Sequence, residues 1–145
     1  MGDIKLLDCT LRDGGYVNDW KWGFSPARDI IRTLTRAGVD IVEVGFLRNV
    51  AEYDPDITVC NTIEELNRLL PDDPRGTMYS GMAMRSNYDI SKLSEYQGKG
   101  IEMIRITAHD YDIRDGMDFA REVKARGYKL SINPINIMGY ADKDL

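Results

Sequence analysis

The 145-residue sequence has one histidine, two cysteines and no long apolar run. With only His109, the chain cannot hold a metal through two histidine ligands. Cys9 and Cys60 are far apart and fit no zinc or redox spacing, so we expect reduced thiols. No stretch approaches the ~20 apolar residues of a membrane span. Basic tracts are also lacking and the net charge is −5, so we expect neither nucleic acid nor a membrane as partner.

The composition that remains is typical of one globular domain. The sequence is 43% hydrophobic and 30% charged, which excludes collagen-like, disordered and coiled-coil classes. The first residues lack the basic-then-apolar layout of a secretory signal, which favours a cytoplasmic protein. No linker or low-complexity stretch divides the chain, so we predict a single unit over residues 1–145.

Short apolar strands alternate with amphipathic helices along the whole sequence. This alternation predicts parallel strands with right-handed crossovers, either in an open sheet or in a (β/α)8 barrel. About four helices lie between the five predicted strands. The strands are expected at Ile4–Leu11, Asp40–Phe46, Met78–Met84, Ile101–Thr107 and Tyr128–Asn133.

The predicted helices have recognisable start and stop signals. Ser25 followed by Pro26 suggests a helix N-cap, and Gly38 supplies a left-handed stop. Thr62 and Glu65 have the spacing of a capping box that opens a helix through Leu66, Leu69 and Leu70. Two more helices are predicted at about 91–97 and 115–126.

Polar residues on one face of each strand favour the barrel. Strands covered by helices on both faces are usually apolar throughout, whereas a barrel opens into a polar site at the carboxyl ends of its strands. The pattern predicts that Glu43 and Gly45 lie opposite Val42, Val44 and Phe46. The other polar faces are expected to hold Asp8, Thr10 and Arg12, then Arg105, Thr107 and His109, and finally Ser131 and Asn133.

The densest group of reactive side chains is DCTLRDGG, residues 8–15, at the end of the first predicted strand. The Asp13 carboxylate could bind a hard divalent cation. The Arg12 guanidinium could bind a carboxylate or stabilise an enolate as its charge develops. On the residues alone, an ordinary surface ion pair between Arg12 and Asp13 is an equal alternative.

DCTLRDGG followed by GVDIVEVGF resembles the beginning of the DRE-TIM metallolyase superfamily, the barrels related to hydroxymethylglutaryl-CoA lyase. The branch it resembles most is that of 4-hydroxy-2-oxovalerate aldolase. The matching segments are Thr10–Gly14, Val42–Gly45 and Ile104–His109. The resemblance implies a TIM barrel, of which this chain would be an N-terminal portion with about five strands.

The resemblance also implies roles for individual residues. Asp13 would ligate Mg²⁺ or Mn²⁺, with no organic cofactor, and Arg12 would stabilise the enolate of a pyruvate-type 2-oxo acid. Glu43 would steady the arginine or a metal-bound water, or else pair with Arg105 across the lumen. Tyr16 stands where the aldolase branch has an acid–base histidine, and it could instead simply pack on Trp20 or Trp22. The remaining candidate pocket residues are Arg105, His109, Ser131 and Asn133.

The function implied is a metal-dependent aldolase or lyase that makes or breaks a carbon–carbon bond next to a 2-oxo acid. A Claisen-type acyltransferase of the same superfamily and a non-catalytic binding module are the alternatives. The family completes its metal site with a His-x-His pair that this sequence lacks, and a full barrel takes ~250 residues. We therefore expect little activity from the isolated chain and a homo-oligomer through uncovered strand edges. The resemblance to the aldolase branch also implies a second enzyme as a channelling partner.

Overall fold

A computed structural model describes residues 4–141, which form one α/β fold around a parallel sheet. The strands are β1 (Leu7–Asp8), β2 (Ile41–Leu47), β3 (Val59–Cys60), β4 (Met78–Ala83), β5 (Met103–Ala108) and β6 (Lys129–Pro134). The helices are α1 (Thr10–Asp13), α2 (Gly15–Asn18), α3 (Phe24–Arg36), α4 (Ile63–Asn67) and α5 (Ile113–Ala125). The sheet order is β1-β2-β4-β5-β6, and the short β3 pairs with β2.

The three crossovers that contain α3, α4 and α5 place these helices on one face of this sheet. Ile31 of α3, Leu66 of α4 and Phe119 of α5 are fully or almost fully buried against the strands in a single apolar cluster. Burial of each such side chain contributes roughly 1.5–3 kcal/mol to folding. The opposite face carries Glu43 and Arg105, and among residues 4–141 it is not the face on which α3, α4 and α5 pack. The predicted α/β partial barrel of five main parallel strands is therefore confirmed.

The first strand is much shorter than predicted. It ends at Asp8, and the chain turns at once into α1. The Asp8 carboxylate accepts hydrogen bonds from the backbone N–H and the hydroxyl of Thr10, both at 3.0 Å. This local side-chain turn competes with the strand, so the prediction that Asp8, Thr10 and Arg12 share one strand face was wrong.

The second strand contains a bulge that the alternating pattern did not reveal. Its register against β4 shifts between Glu43 and Phe46. Phe46 consequently pairs with Met82 and leaves the cluster that contains Val42 and Val44. A Cβ on Gly45 would lie 2.3 Å from the carbonyl oxygen of Thr58. The predicted faces are therefore wrong beyond Val44, because β3 approaches the backbone too closely for any side chain at position 45.

Helix ends are partly as predicted. The capping box of Thr62 and Glu65 and the left-handed Gly38 are both present. The N-cap of α3, however, is Gly23 and not Ser25. Asp56 accepts a hydrogen bond from the N–H of Phe24 at 2.8 Å, so a distant carboxylate satisfies this helix start.

The predicted helix over residues 91–97 is absent. The segment has only a single turn of 3₁₀ helix, Ile90–Lys92. Asp89 caps this turn, because its carboxylate accepts a hydrogen bond from the N–H of Ser91 at 2.9 Å. Of the helices in the described range 4–141, none has the length and apolarity that crossing a membrane requires.

Candidate active site at the carboxyl ends of the strands

The turn after β1 brings Arg12 and Asp13 to the carboxyl end of the sheet. The carbonyl oxygen of Cys9 accepts hydrogen bonds from the backbone N–H groups of Arg12, at 3.1 Å, and Asp13, at 2.7 Å. The N–H of Gly14 donates to Thr10 at 2.9 Å. A Cβ on Gly14 would lie 2.6 Å from that same Thr10 oxygen, so the tight turn requires glycine there.

A single buried carboxylate, that of Glu43, connects Arg12 of α1 with Arg105 of β5. Glu43 has no solvent-exposed surface. Its Oε1 accepts from Arg12 Nε at 2.6 Å, and its Oε2 accepts from Arg105 Nη1 at 2.8 Å. Glu43 thus contacts both Arg12 and Arg105, the two side chains that the sequence offered as its partners. A buried ion pair of this kind specifies geometry because neither partner can be left alone at low cost.

The Arg12 guanidinium is fixed at two of its nitrogens. Besides Glu43, it contacts Asp13 through Nη1 at 2.8 Å. Burial alone would lower the pKa of Arg12, but the hydrogen bond and charge of Glu43, together with Asp13, outweigh burial and raise the pKa. Within residues 4–141, no protein atom accepts a hydrogen bond from Arg12 Nη2.

Asp13 differs from Glu43 because its carboxylate faces solvent. The side chain is 60% exposed and contacts Arg12 through one oxygen. An exposed carboxylate of this kind suits Mg²⁺ or Mn²⁺, which are held by one or two carboxylates together with water and substrate oxygens. Within the described range, no three His, Cys, Asp or Glu side chains lie close enough to form a metal site. Asp13 therefore fits the role of one ligand and not of a complete site.

Two indoles and a threonine hold the carbonyl oxygens of α1. Trp20 Nε1 donates to the Arg12 oxygen at 2.7 Å, and Trp22 Nε1 donates to the Leu11 oxygen at 3.1 Å. The Thr58 hydroxyl donates to the same Leu11 oxygen at 3.0 Å. These contacts were not anticipated from the sequence, because nothing in its pattern indicates which distant donors will reach α1.

Tyr16 lies beside this turn with a 62% exposed side chain. Its ring contacts Trp20 edge-on, with centroids 4.7 Å apart. Trp20 in turn contacts Phe46, and the Arg48 guanidinium lies over both of these rings at 5.4 and 4.7 Å. The alternative expectation that Tyr16 packs on Trp20 is thus met.

The other candidate residues lie farther along the sheet. Ser131 and Asn133 are on β6, in register with Arg105 and Thr107. Asn133 is exposed, and its backbone oxygen accepts from the Thr107 hydroxyl at 3.1 Å.

His109 follows β5 directly and does not contact the cluster of arginines. Its ring packs edge-on against Tyr111 at 4.9 Å, and its backbone N–H donates to Asp112 at 2.6 Å. The ring nitrogen Nδ1 is buried and has no hydrogen-bond partner within the range that the structure describes.

Cys9 is a neighbour of the cluster that the sequence did not single out. Burial, above all, raises the pKa of its thiol, although the positive charge of Arg12 acts in the opposite direction. A thiol with a raised pKa is a poor nucleophile near neutrality. Cys9 therefore lacks the lowered thiol pKa that is typical of reactive cysteines.

Comparison with known proteins agrees with this geometry. Over 42 residues the chain is 40% identical to 4-hydroxy-2-oxovalerate aldolase 6 of Rhodococcus jostii (strain RHA1), a segment that is 29% of this chain and 12% of that protein. The predicted resemblance is confirmed. The fold is similar to the crystal structure of "the N-terminal domain of a putative aldolase" from Bacteroides vulgatus, with a TM-score of 0.61 and 21% identity.

The extent of these matches limits what they establish. The structural match covers 93% of this chain and 46% of the other chain, so this chain spans less than half of that protein. No family model matches the sequence. The comparisons therefore show the partial-barrel fold and a resemblance to an aldolase over one segment.

Proposed function

We propose that this chain forms the part of an aldolase site that binds a pyruvate-type 2-oxo acid. The observation that carries the proposal is the fixed Arg12 guanidinium, which is held by Glu43 and Asp13 and has Nη2 free of protein partners among residues 4–141. Nη2 of a charged guanidinium can donate a charge-assisted hydrogen bond to a carboxylate or keto oxygen of such an acid.

In the proposed reaction, a 4-hydroxy-2-oxo acid is cleaved to an aldehyde and the enolate of pyruvate. The electron pair of the broken carbon–carbon bond becomes the enolate charge, and Arg12 is already oriented to stabilise it. Because Glu43, itself bound by Arg105, holds the Arg12 guanidinium before the substrate arrives, little reorganisation is needed as this charge develops.

The proton lost from the substrate hydroxyl needs an acceptor. Tyr16 is the exposed polar side chain next to the turn, and its hydroxyl can relay the proton to water, giving up its own as it takes the substrate's. With an ordinary pKa of ~10, tyrosine is a poorer base than histidine near neutrality. We therefore assign Tyr16 a relay role in this proposal.

A divalent cation, Mn²⁺ or Mg²⁺, is part of the proposal and would use Asp13 as one ligand. When bound, it would act as a Lewis acid on the keto oxygen. Asp13 accepts from Arg12 through one oxygen, which leaves its other oxygen for the cation. Arg12 thus positions both the acid substrate and the carboxylate that would hold the metal.

The test is a calorimetric titration with Mn²⁺, followed by oxalate as a planar mimic of the enolate, on the wild type and on Asp13→Asn. We expect Asp13→Asn to lower the affinity for Mn²⁺ by at least about tenfold, as even loss of a residue that only supports a ligand does. Asp19→Asn is the matched control, because Asp19 is exposed and contacts only Lys21 at 3.9 Å. Equal Mn²⁺ affinity in wild type and Asp13→Asn would remove Asp13 from the proposal.

A further inference from the structure

Trp20 has a backbone conformation that is unusual for its residue type. Its φ is 58°, and the preceding Asp19 has a φ of 56°. Bulky side chains rarely adopt the left-handed region, and such residues persist only where the surrounding structure enforces them. Here the N–H of Trp20 donates to Gly15 at 2.9 Å, and its carbonyl oxygen accepts from Thr58 at 3.1 Å.

This conformation delivers the indole to the peptide bond between Arg12 and Asp13. The carbonyl oxygen of that peptide accepts from Trp20 Nε1 at 2.7 Å, and its N–H donates to Cys9 at 2.7 Å. Both polar groups of the peptide are therefore bound, and its plane is fixed. The two side chains that leave this peptide are the guanidinium and the carboxylate of the proposed site.

The ring of Trp20 is packed against the backbone of α2 and against other side chains. A Cβ on Gly15 would lie 2.0 Å from Trp20 Cδ1, so the indole packs directly on the backbone of α2. On its other sides it contacts Tyr16, Phe46 and the Arg48 guanidinium. An indole that is confined in this way holds its N–H at one place.

We propose that Trp20 is a positioning residue for this site, which acts by fixing the Arg12–Asp13 peptide through its indole N–H. The effect of Trp20 on metal binding rests on the proposed function, whereas its hydrogen bond to the peptide does not. Within the described part of the chain, the Asp13 carboxylate makes a side-chain contact with Arg12 and with no other residue. Its carboxylate is therefore placed by Arg12 and by the backbone of the turn, and the Trp20 indole fixes that backbone.

The test compares Trp20→Phe with Tyr79→Phe. The first change removes the N–H and keeps an aromatic ring. The control likewise replaces an aromatic side chain that makes a hydrogen bond by phenylalanine. The bond it loses, however, is the one to the Thr35 hydroxyl, at 2.9 Å, on the helical face of the sheet. Both proteins are measured at a temperature at which circular dichroism shows them folded.

Two readouts separate positioning from mere stability. In the ¹⁵N spectrum of arginine side chains, Trp20→Phe should shift or broaden the Arg12 Nε–H resonance, which Tyr79→Phe leaves in place. By water-proton relaxation, Trp20→Phe should weaken Mn²⁺ binding about tenfold, an effect of the size reported for residues that support a metal ligand, and Tyr79→Phe should not weaken it.

An unchanged Arg12 resonance together with unchanged Mn²⁺ affinity in Trp20→Phe overturns the positioning role. If wild type binds no Mn²⁺ but the Arg12 resonance still moves, the proposed metal function fails and the positioning role stands. Should Trp20→Phe not fold, hydrogen exchange on the wild type decides: the Trp20 indole proton should be protected, and exchange at the rate of a free indole overturns the inference.

Discussion

Arg12 donates from Nε to Glu43 Oε1 at 2.6 Å across 31 residues of sequence, and the carboxylate that receives this bond has no exposure to solvent. The pair joins the turn after β1 to the middle of β2. Because the second oxygen of Glu43 binds Arg105, three sequentially distant segments meet at one carboxylate. The candidate site is thus built on the core of the sheet and not on its loops alone.

The first prediction concerns this carboxylate. Glu43→Gln leaves the largely buried Arg105 guanidinium without its counter-charge and Arg12 with only the exposed Asp13. We expect it to lower the free energy of unfolding by about 3 kcal/mol. Urea unfolding measures this change. Asp29→Asn is the control, since it removes an exposed pair with Arg32 whose loss should cost less than about 0.5 kcal/mol. Similar losses for the two variants would show that the Glu43 network adds no stability.

The second prediction concerns the shape of the Arg12 side chain. Arg12→Lys keeps the positive charge but has a single nitrogen in place of three. That nitrogen cannot bind Glu43 and Asp13 and also donate to a ligand in the geometry that arginine allows. A lost charge-assisted hydrogen bond is worth about 1.5–3 kcal/mol, so affinity for oxalate in the presence of Mn²⁺ should fall about tenfold or more. Calorimetry measures it, with Arg32→Lys as control. Retained oxalate affinity in Arg12→Lys would mean that charge alone matters.

The third prediction concerns Gly15. Gly15→Ala would place a methyl group 2.0 Å from the Trp20 ring, so the indole or the turn must move. We expect a loss of about 1–3 kcal/mol in unfolding free energy and a shift in tryptophan emission. In Gly81→Ala the new methyl would meet Leu66 at an ordinary 3.5 Å, which makes it the matched control. If Gly15→Ala behaves like Gly81→Ala, the packing of Trp20 on α2 is wrong.

The fourth prediction concerns alkaline pH. Burial, above all, raises the pKa of the Cys60 thiol from 9.0 to about 12. Stability that comes from a raised pKa is complete below the unfolded pKa near 9 and is lost as pH rises toward about 12, because only the unfolded chain ionises in between. Unfolding free energies at pH 8, 9 and 10 should therefore fall less steeply in Cys60→Ala than in wild type. Identical slopes would show that Cys60 is not shielded from ionisation.

The fifth prediction retains the expected self-association. Leu130 and Ile132 of β6, with Met117 of α5, line an open apolar groove of about 540 Å³. Such edges and patches are typical sites of association, so we expect the chain to form a dimer or larger oligomer in light scattering. Ile132→Lys should shift the chain toward monomer. Met138→Lys changes an exposed apolar residue that does not line this groove, and it should not have this effect. A monodisperse wild-type monomer at high concentration would contradict this prediction.

Sequence reasoning succeeded where a local pattern determines the structure. The alternation of strands and helices predicted the parallel sheet, and the spacing of Thr62 and Glu65 predicted a capping box. It failed where a distant segment decides. Gly45 is a bulge because Thr58 passes close by, and Asp56, not Ser25, satisfies the start of α3. Neither contact has a signal in the local sequence.

The candidate site shows the same division. The motif around Arg12 and Asp13 indicated the chemistry, and Glu43 was expected to support the arginine. Trp20 was expected only as a packing surface, since its role depends on a left-handed backbone that composition does not reveal. Thr58 was not considered at all, although its hydroxyl contacts the backbone of α1.

The contact between Thr58 and Leu11 also bears on the order of folding. The turn that carries Arg12 is short, and donors that follow it in the chain, Trp20, Trp22 and Thr58, bind its carbonyl oxygens. Parallel pairing already requires long loops to close before contacts form, which slows folding. The reactive turn should therefore acquire its native shape only after the chain through β3 has collapsed onto β2, so an early folding intermediate would hold a sheet without a working site.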